Sequence, residues 1–574
     1  MSTGILPALN ASPGTVFARG SIAFVDKNQH DDEYDLGQSA RLTPGLGQVH
    51  DGPNLGAPGS ADTGFRRLSG TSSASHRVGG RDGMNDEKED LYALPPEAIQ
   101  EPPHTLPSAM RQIGPGLILA ASIVGTGELI NTTSLGAKAG FSLLWLILLS
   151  CVIKVFVQVE LGRYAITHGK TTLAAFDTLP GPRLGVSWLC WLWLFMMLTT
   201  QAQIAAMEGT VGQAAHMAFP RAAPAIAAAA GTMVPSWGPY LASHQEYFWA
   251  AVTTLAAVCL LLSGGYRRLE RITTVMVAAV TLFTVASVMI LQWTKFRIAL
   301  PDLERGFELA IPTAAVALAF SAFGITGVGA SELFAYPYWC IEKGYARYTG
   351  QRSKDADWAH RAQGWTRVMQ LDAWISMLVF TIATVAFYFL GAAVLHPQGL
   401  DPKGPEMIPT LSQMYLQPLE GTALAALRPF TYVGFLVGAW AVLFKTLYVA
   451  TAANSRMTAD FFYHLGFWRT GGHAQRDRVV KLFCVIYPTL SLGLYYAFRE
   501  PQGLIKAGGI AQALMLPFIA GATIYLRRQE TDSRVAPSRQ SDILTWIAFV
   551  AITAVAVYST FDQIRGLIMG PGRP

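Results

Sequence analysis

Charge is what this sequence has least of. Aspartate, glutamate, lysine and arginine make up 14% of its 574 residues, while the hydrophobic class reaches 51% and mean hydropathy is +0.31. Soluble domains carry about a quarter charged residues, so the deficit excludes an ordinary soluble chain and points to lipid as the solvent. The net charge, +5, is small for this size and suggests no nucleic-acid partner. Cysteine is scarce too. Cys151, Cys190, Cys259, Cys340 and Cys484 lie far apart, in or beside apolar runs. An odd, dispersed set excludes a disulfide framework, and no pair has metal-ligand spacing. Between Met1 and Gly20 no basic stretch precedes an apolar run, so a secretory signal is not expected.

Residues 1–108 are rich in Gly, Ser, Asp and Pro, with too few apolar side chains to offset the entropy of ordering. They read as a disordered cytoplasmic N-terminal tail, followed by a transmembrane domain over 109–570. From Gly116 onward apolar runs recur, predicting spans near 116–136, 141–162, 186–208, 247–264, 272–292, 311–336, 371–395, 426–450, 480–497, 503–526 and 543–563. Basic residues cluster after the even-numbered spans: Arg163 and Lys170, Arg267 and Arg268, Lys343 to Arg367, Arg456 to Lys481, Arg527 to Arg539. The loop at 397–425 holds only Lys403 among its lysines. Placing every basic loop in the cytoplasm gives eleven spans, with the N-terminus inside and the C-terminus outside. The membrane expected is the plasma membrane.

Two spans are interrupted. The first carries Gly125-Thr126-Gly127-Glu128 in mid-run, and the sixth carries Gly327-Val328-Gly329, followed by Glu332. Glycine weakens helix, and freed backbone groups persist in a bilayer only where they line a cavity or are buried in protein. A mid-membrane glutamate is costly unless paired, protonated or hydrated. The clusters lie five spans apart, so the two halves enter the membrane from opposite sides. That is the pattern of an inverted five-plus-five repeat whose broken segments mark a substrate site. Read singly, each cluster fits close helix packing equally well; the recurrence favours a site. Gly125-Thr126-Gly127 is not a phosphate loop, because it lies inside a span. No nucleotide-binding fingerprint and no Ser/His/Asp or Cys/His arrangement occurs in a matching context. A gradient-driven transporter is expected rather than an enzyme.

Gly114-Pro115-Gly116-Leu117, then Gly140-Phe141-Ser142-Leu143-Leu144-Trp145 with Leu148-Leu149-Ser150, Gln158, Arg163 and Gly169-Lys170, resembles the Nramp family of divalent-metal transporters. The resemblance is strongest over about residues 110–175. It implies an all-α membrane protein of about eleven transmembrane helices, a LeuT-type inverted repeat with helices one and six broken. The departure falls at the family's site. Where the family has Asp-Pro-Gly-Asn in its first span, this chain has Gly125, Thr126, Gly127 and Glu128. Where the family has Met-Pro-His in its sixth, the alignment sets Val328, Gly329 and Ala330. The chain therefore resembles a divergent Nramp-related branch.

The site expected from these readings comprises Glu128 as ligand or proton acceptor, carbonyls near Val124 and Gly125, the Ser122 and Thr126 hydroxyls, Val328 at the thioether position, and Glu332 as a second acid. These are hard oxygen donors, which suit magnesium or manganese as cargo and disfavour cadmium. No resident cofactor is expected. Lys445, inside span eight, is expected to snorkel or to serve as a counter-ion. Lys154, six residues from Glu160, is not expected to meet it on their common helix, whereas Glu160 and Arg163 can pair at i,i+3. Glu208 is expected at a solvated loop end, with a place in a proton path as the alternative, and His168, His360 and His473 in solvated basic loops. A carrier of a small organic solute such as an amine or amino acid, or a membrane sensor that has lost transport, are the alternatives. The oligomeric state is not legible.

Overall fold

A computed structural model describes residues 98–569, apart from Thr126, scattered positions between 223 and 243, 264–265 and 468–471. The expected tail, as far as Glu97, lies outside the described residues. The transmembrane body, expected from residue 109, already engages the chain before that point. Gln100 N–H donates to the Tyr348 carbonyl at 3.0 Å, and the Trp365 indole N–H donates to the Gln100 carbonyl at 3.0 Å.

The short α1 (Leu106–Gln112) begins with a capping box, Thr105 and Ser108 exchanging side-chain and backbone hydrogen bonds. The first span follows as α2 (Pro115–Ile123), a π-turn (Gly127–Thr132) and α3 (Thr133–Ala139). Its start is fixed from a distance. Asp372, fully buried, accepts from the Gly114 and Gly116 N–H groups, which an isolated helix would leave unpaired. Next come α4 (Leu144–His168), the short α5 (Thr172–Asp177), a two-residue hairpin of β1 (Arg183–Leu184) and β2 (Val186–Ser187), and α6 (Trp188–Ala218). At about 1.5 Å per residue, the 25 residues of α4 exceed a hydrocarbon core of about 30 Å. Gly169, in left-handed conformation at φ 65°, stops it.

The chain continues through α7 (Gln245–Ser263), α8 (Tyr266–Leu291) and the short α9 (Leu300–Arg305). The sixth span is again two pieces, α10 (Val316–Ile325) and α11 (Ala330–Lys343). Then follow α12 (Tyr345–Thr349), α13 (Ala356–Leu390), α14 (Met407–Leu416), α15 (Arg428–Leu465), α16 (Gly472–Phe498), α17 (Pro501–Gln529) and α18 (Arg539–Met569). Among the described residues ten helical segments are long and apolar enough to cross a membrane. The first expected span is absent from those ten only because its break leaves neither half long enough. The eleven-span, all-α reading with breaks in spans one and six therefore stands. Helix ends differ from expectation where polar residues follow an apolar run without breaking the helix: α6 continues past 208, α13 starts before 371 and α15 runs on past 450.

Close crossings set the packing. A Cβ on Gly324 would strike the Gly509 carbonyl, so α10 and α17 touch backbone to backbone, and Gly136 meets the Tyr388 carbonyl of α13 in the same way. One buried charge network lies near the basic loops. Glu160 pairs with Arg163 at 3.2 Å, as the i,i+3 spacing predicts, and also with Arg527 of α17 at 3.2 Å. Nearby, the Arg534 guanidinium beside Asp532 holds its carboxyl well below the usual carboxylate range. That linkage favours the folded chain above the ordinary aspartate range and fades only as pH falls through the depressed value.

Candidate functional site

The two interruptions face each other. α2 ends at Ile123, with the Val124 N–H still reaching the Ala120 carbonyl. α10 ends at Ile325, and the chain crosses Thr326 to Gly329 before α11 begins. Gly327 sits at φ +67°, where a side chain is strained, and an added Cβ would also press on the Cys151 Cα. The Thr132 and Thr326 hydroxyls lie 3.2 Å apart, and Thr132 also donates to the Gly127 carbonyl at 2.9 Å. Clusters 200 positions apart in sequence are thus one structural feature, as the repeat pattern predicted.

Between them and the surrounding helices lies a cavity of about 50 Å³. Ser122 and Gly127 reach it from the first span and Glu332 from the first turn of α11. The other walls bring polar groups that the sequence reading did not single out. Gln512 of α17 accepts from the Ser331 N–H at 3.1 Å, and its amide donates to Gln203 of α6 at 2.8 Å. A chain of amides therefore ties the mouth of α11 to both neighbours. A Cβ on Gly329 would collide with the Glu332 carboxylate and crowd the Gln512 oxygen, so this glycine is what lets the two approach. Asn454 of α15 lines the same space, as do two thioethers, Met207 of α6 and Met457 of α15. A single Gln, Asn or Met inside an apolar run carries no periodic signal, which is why these residues escaped notice.

The expected site residues divide into two groups. Ser122 and Glu332 line the cavity. Glu128 does not. It is fully buried, accepting from the Gly125 N–H at 3.4 Å and from Thr384 of α13 at 3.3 Å, with the Gly327 N–H of the other break also in reach of its carboxylate. Gly125 is needed there, since a Cβ would strike the Thr446 hydroxyl of α15. The Val124 and Val328 side chains are buried in apolar clusters. Thr126 lies outside the described residues. Lys445 donates to Thr274 of α8 at 3.0 Å. The lysine that reaches the breaks is Lys154 of α4, whose ammonium donates to the Phe323 and Thr326 carbonyls at 2.7 and 2.6 Å.

Two loop assignments change. Glu208 is not at a loop end; it is fully buried within α6, because that helix continues to Ala218. His168 stacks on Tyr164 with ring centroids 4.2 Å apart and approaches the Glu530 carbonyl, rather than standing in solvent. His360 is exposed beside Glu101, and the His473 side chain is outside the described residues. Among the described residues no three His, Cys, Asp or Glu side chains converge as metal ligands. A cation held in the cavity would need carbonyl, amide, hydroxyl, thioether or water partners beside Glu332.

No curated protein matches the sequence. Two crystal structures of the Eremococcus coleocola manganese transporter share the fold, each with TM-score 0.54, 17% identity, and coverage of 83% of this chain and 91% of theirs. One of them is in complex with an aromatic bis-isothiourea substituted compound and the other is a mutant. The family profile described as natural resistance-associated macrophage protein-like matches residues 116–562, a stretch that contains both breaks, the cavity and every span around them. The chain belongs to the Nramp family.

Proposed function

We propose that this integral membrane protein is a metal-ion transporter, not an enzyme, and that it carries a divalent cation by alternating access around the cavity between the two breaks. The observation that carries the reading is the Glu332 carboxylate on the wall of a small cavity at the opening of a half-helix. Broken helices of this kind mark substrate sites in inverted-repeat transporters. The family and the manganese named for the Eremococcus coleocola protein support the same class of cargo. A cavity of about 50 Å³ has room for roughly three to five water-sized occupants, enough for an ion with part of its hydration shell. Carboxylate, hydroxyl and amide oxygens suit magnesium and manganese, and the neighbouring thioethers favour manganese of the two.

Uptake into liposomes by the purified protein tests the reading, with manganese, magnesium, calcium and cadmium set against a panel of amines and amino acids. Saturable manganese or magnesium uptake is expected. Flux of an organic solute alone would transfer the assignment to the solute-carrier reading, and no flux of any kind would favour the sensor. The same reading puts the protein in the plasma membrane, and the alternation of basic loops supports an N-terminus in the cytoplasm. Reporters fused after residues 170, 270, 355, 475 and 535 should report cytoplasm, and fusions near 230 and 405 the outside. Any of the first five reporting outside would break the alternation and the repeat argument with it.

A further inference from the structure

Lys154 does not line the cavity, yet it is an ionisable side chain buried deep in the bundle. It sits in the middle of α4, with none of its surface exposed. An ammonium removed from water is expensive unless its hydrogens are well placed. Here two of the three are spent on backbone. The Phe323 and Thr326 carbonyls, 2.7 and 2.6 Å from Nζ, belong to the frayed C-terminal end of α10, where the sixth span breaks. Ser150, one turn earlier on α4, donates to the same two oxygens at 3.3 and 3.1 Å. The Phe323 ring centroid lies 5.2 Å from the ammonium, and Glu128 and Glu332 are the carboxylates in electrostatic reach of it.

Each of these features is what a cation site would present. The C-terminal end of a helix carries about half a negative charge. Unwound carbonyls and half-helix C-termini are the groups that coordinate monovalent ions in broken-helix transporters, and rings of carbonyls replace the hydration shell of potassium in selectivity filters. Two carboxylates nearby add to the attraction. We propose that the Lys154 ammonium is a tethered monovalent cation. It fills a carbonyl site at the break of the sixth span that a free sodium or potassium ion would otherwise occupy, and so holds the break open without an external ion. The charge delivered by a bound ion in other proteins is delivered here by a side chain of α4. The unwound segment therefore needs no sodium or potassium to keep its shape.

The inference rests on reading the two breaks as the working centre, but its test does not need the cargo to be known. Lys154→Ser removes the ammonium and opens the space it filled, while Lys154→Met removes the charge and keeps the space filled. Thermal unfolding of the purified full chain is followed in choline chloride and in sodium, potassium or lithium chloride at equal ionic strength. Wild type should melt at one temperature in all four salts. Lys154→Ser should melt lower in choline and recover saturably with sodium or potassium, whereas Lys154→Met should be lowered and not recover. A wild-type melt that climbs saturably with sodium or potassium overturns the proposal, because the site would then still be open. A Lys154→Ser melt that ignores every cation also overturns it. Should that variant not fold, manganese uptake by wild type in choline medium decides the matter: flux equal to that in sodium or potassium is the result expected, and flux that requires either ion refutes it. If no metal is carried at all, the melting data still stand, so failure of the transport reading is separable from failure of this one.

Discussion

Glu332→Gln should raise the KM for divalent-cation uptake by at least tenfold, while Glu128→Gln should leave KM within about threefold and lower the maximal rate instead. The difference follows from where the two carboxylates point. Glu332 emerges in the first turn of α11, directly on the cavity wall beside Gln512 and Ser331. A unit pair of charges about 4 Å apart is worth about 4 kcal/mol at protein-like screening, and a tenfold change in affinity needs only about 1.4 kcal/mol. A generous discount for water in the cavity still leaves a tenfold loss. Glutamine keeps the shape and one acceptor oxygen, so folding should survive. Glu128 instead bonds the Gly125 N–H and the Thr384 hydroxyl, with the Gly327 N–H also in reach. Its loss would loosen the unwound segment and its hold on α13, which bears on the moving parts rather than on the ion. Initial-rate uptake at several manganese concentrations, for wild type and both variants, separates the two. An unchanged KM in Glu332→Gln, or a KM raised tenfold in Glu128→Gln, would reverse the assignment.

Which glutamate lies on the cavity wall is the part of the site that the sequence could not show. The breaks themselves were legible, because Gly125, Gly127, Gly327 and Gly329 stand out inside apolar runs and recur at matching positions. The direction of a glutamate after a break was not. Glu128 follows Gly127 at once and is taken up in a π-turn, while Glu332 comes three residues after Gly329 and begins a regular helix. The rotation between those cases depends on how the backbone unwinds, and a residue pattern does not encode it. Lys154 was visible as a charge in a span, but its partners are backbone carbonyls of another helix, which have no letter in the sequence. Glu208 was misplaced because the apolar run fades near it while α6 goes on. The eleven spans were readable for a simpler reason: one solvent, lipid, imposes the same length and composition on all of them.

Cadmium should bind to the wild-type protein, and the paired substitution Met207→Leu with Met457→Leu should weaken that binding at least tenfold while manganese affinity stays within about threefold. A site made only of carboxylate, hydroxyl and carbonyl oxygens would disfavour this soft ion, and with Val328 at the family's thioether position the sequence pointed to such a site. The cavity nonetheless has two sulfurs. Met207 comes from α6 and Met457 from α15, and both are almost wholly buried, with 3% and 2% of their surface exposed. Thioethers prefer soft metals, manganese accepts oxygen donors readily, and magnesium has little use for sulfur. Leucine nearly matches methionine in volume, and such exchanges usually cost less than about 1.5 kcal/mol of stability, so a change in binding would not reflect unfolding. Titration calorimetry with cadmium, manganese and magnesium on wild type and the double variant reads the outcome. Equal cadmium affinity in the two proteins would mean that the sulfurs line the cavity without reaching the ion. Wild-type protein that binds manganese and ignores cadmium would restore the all-oxygen shell, with Glu332, Asn454 and the glutamine pair as its protein ligands.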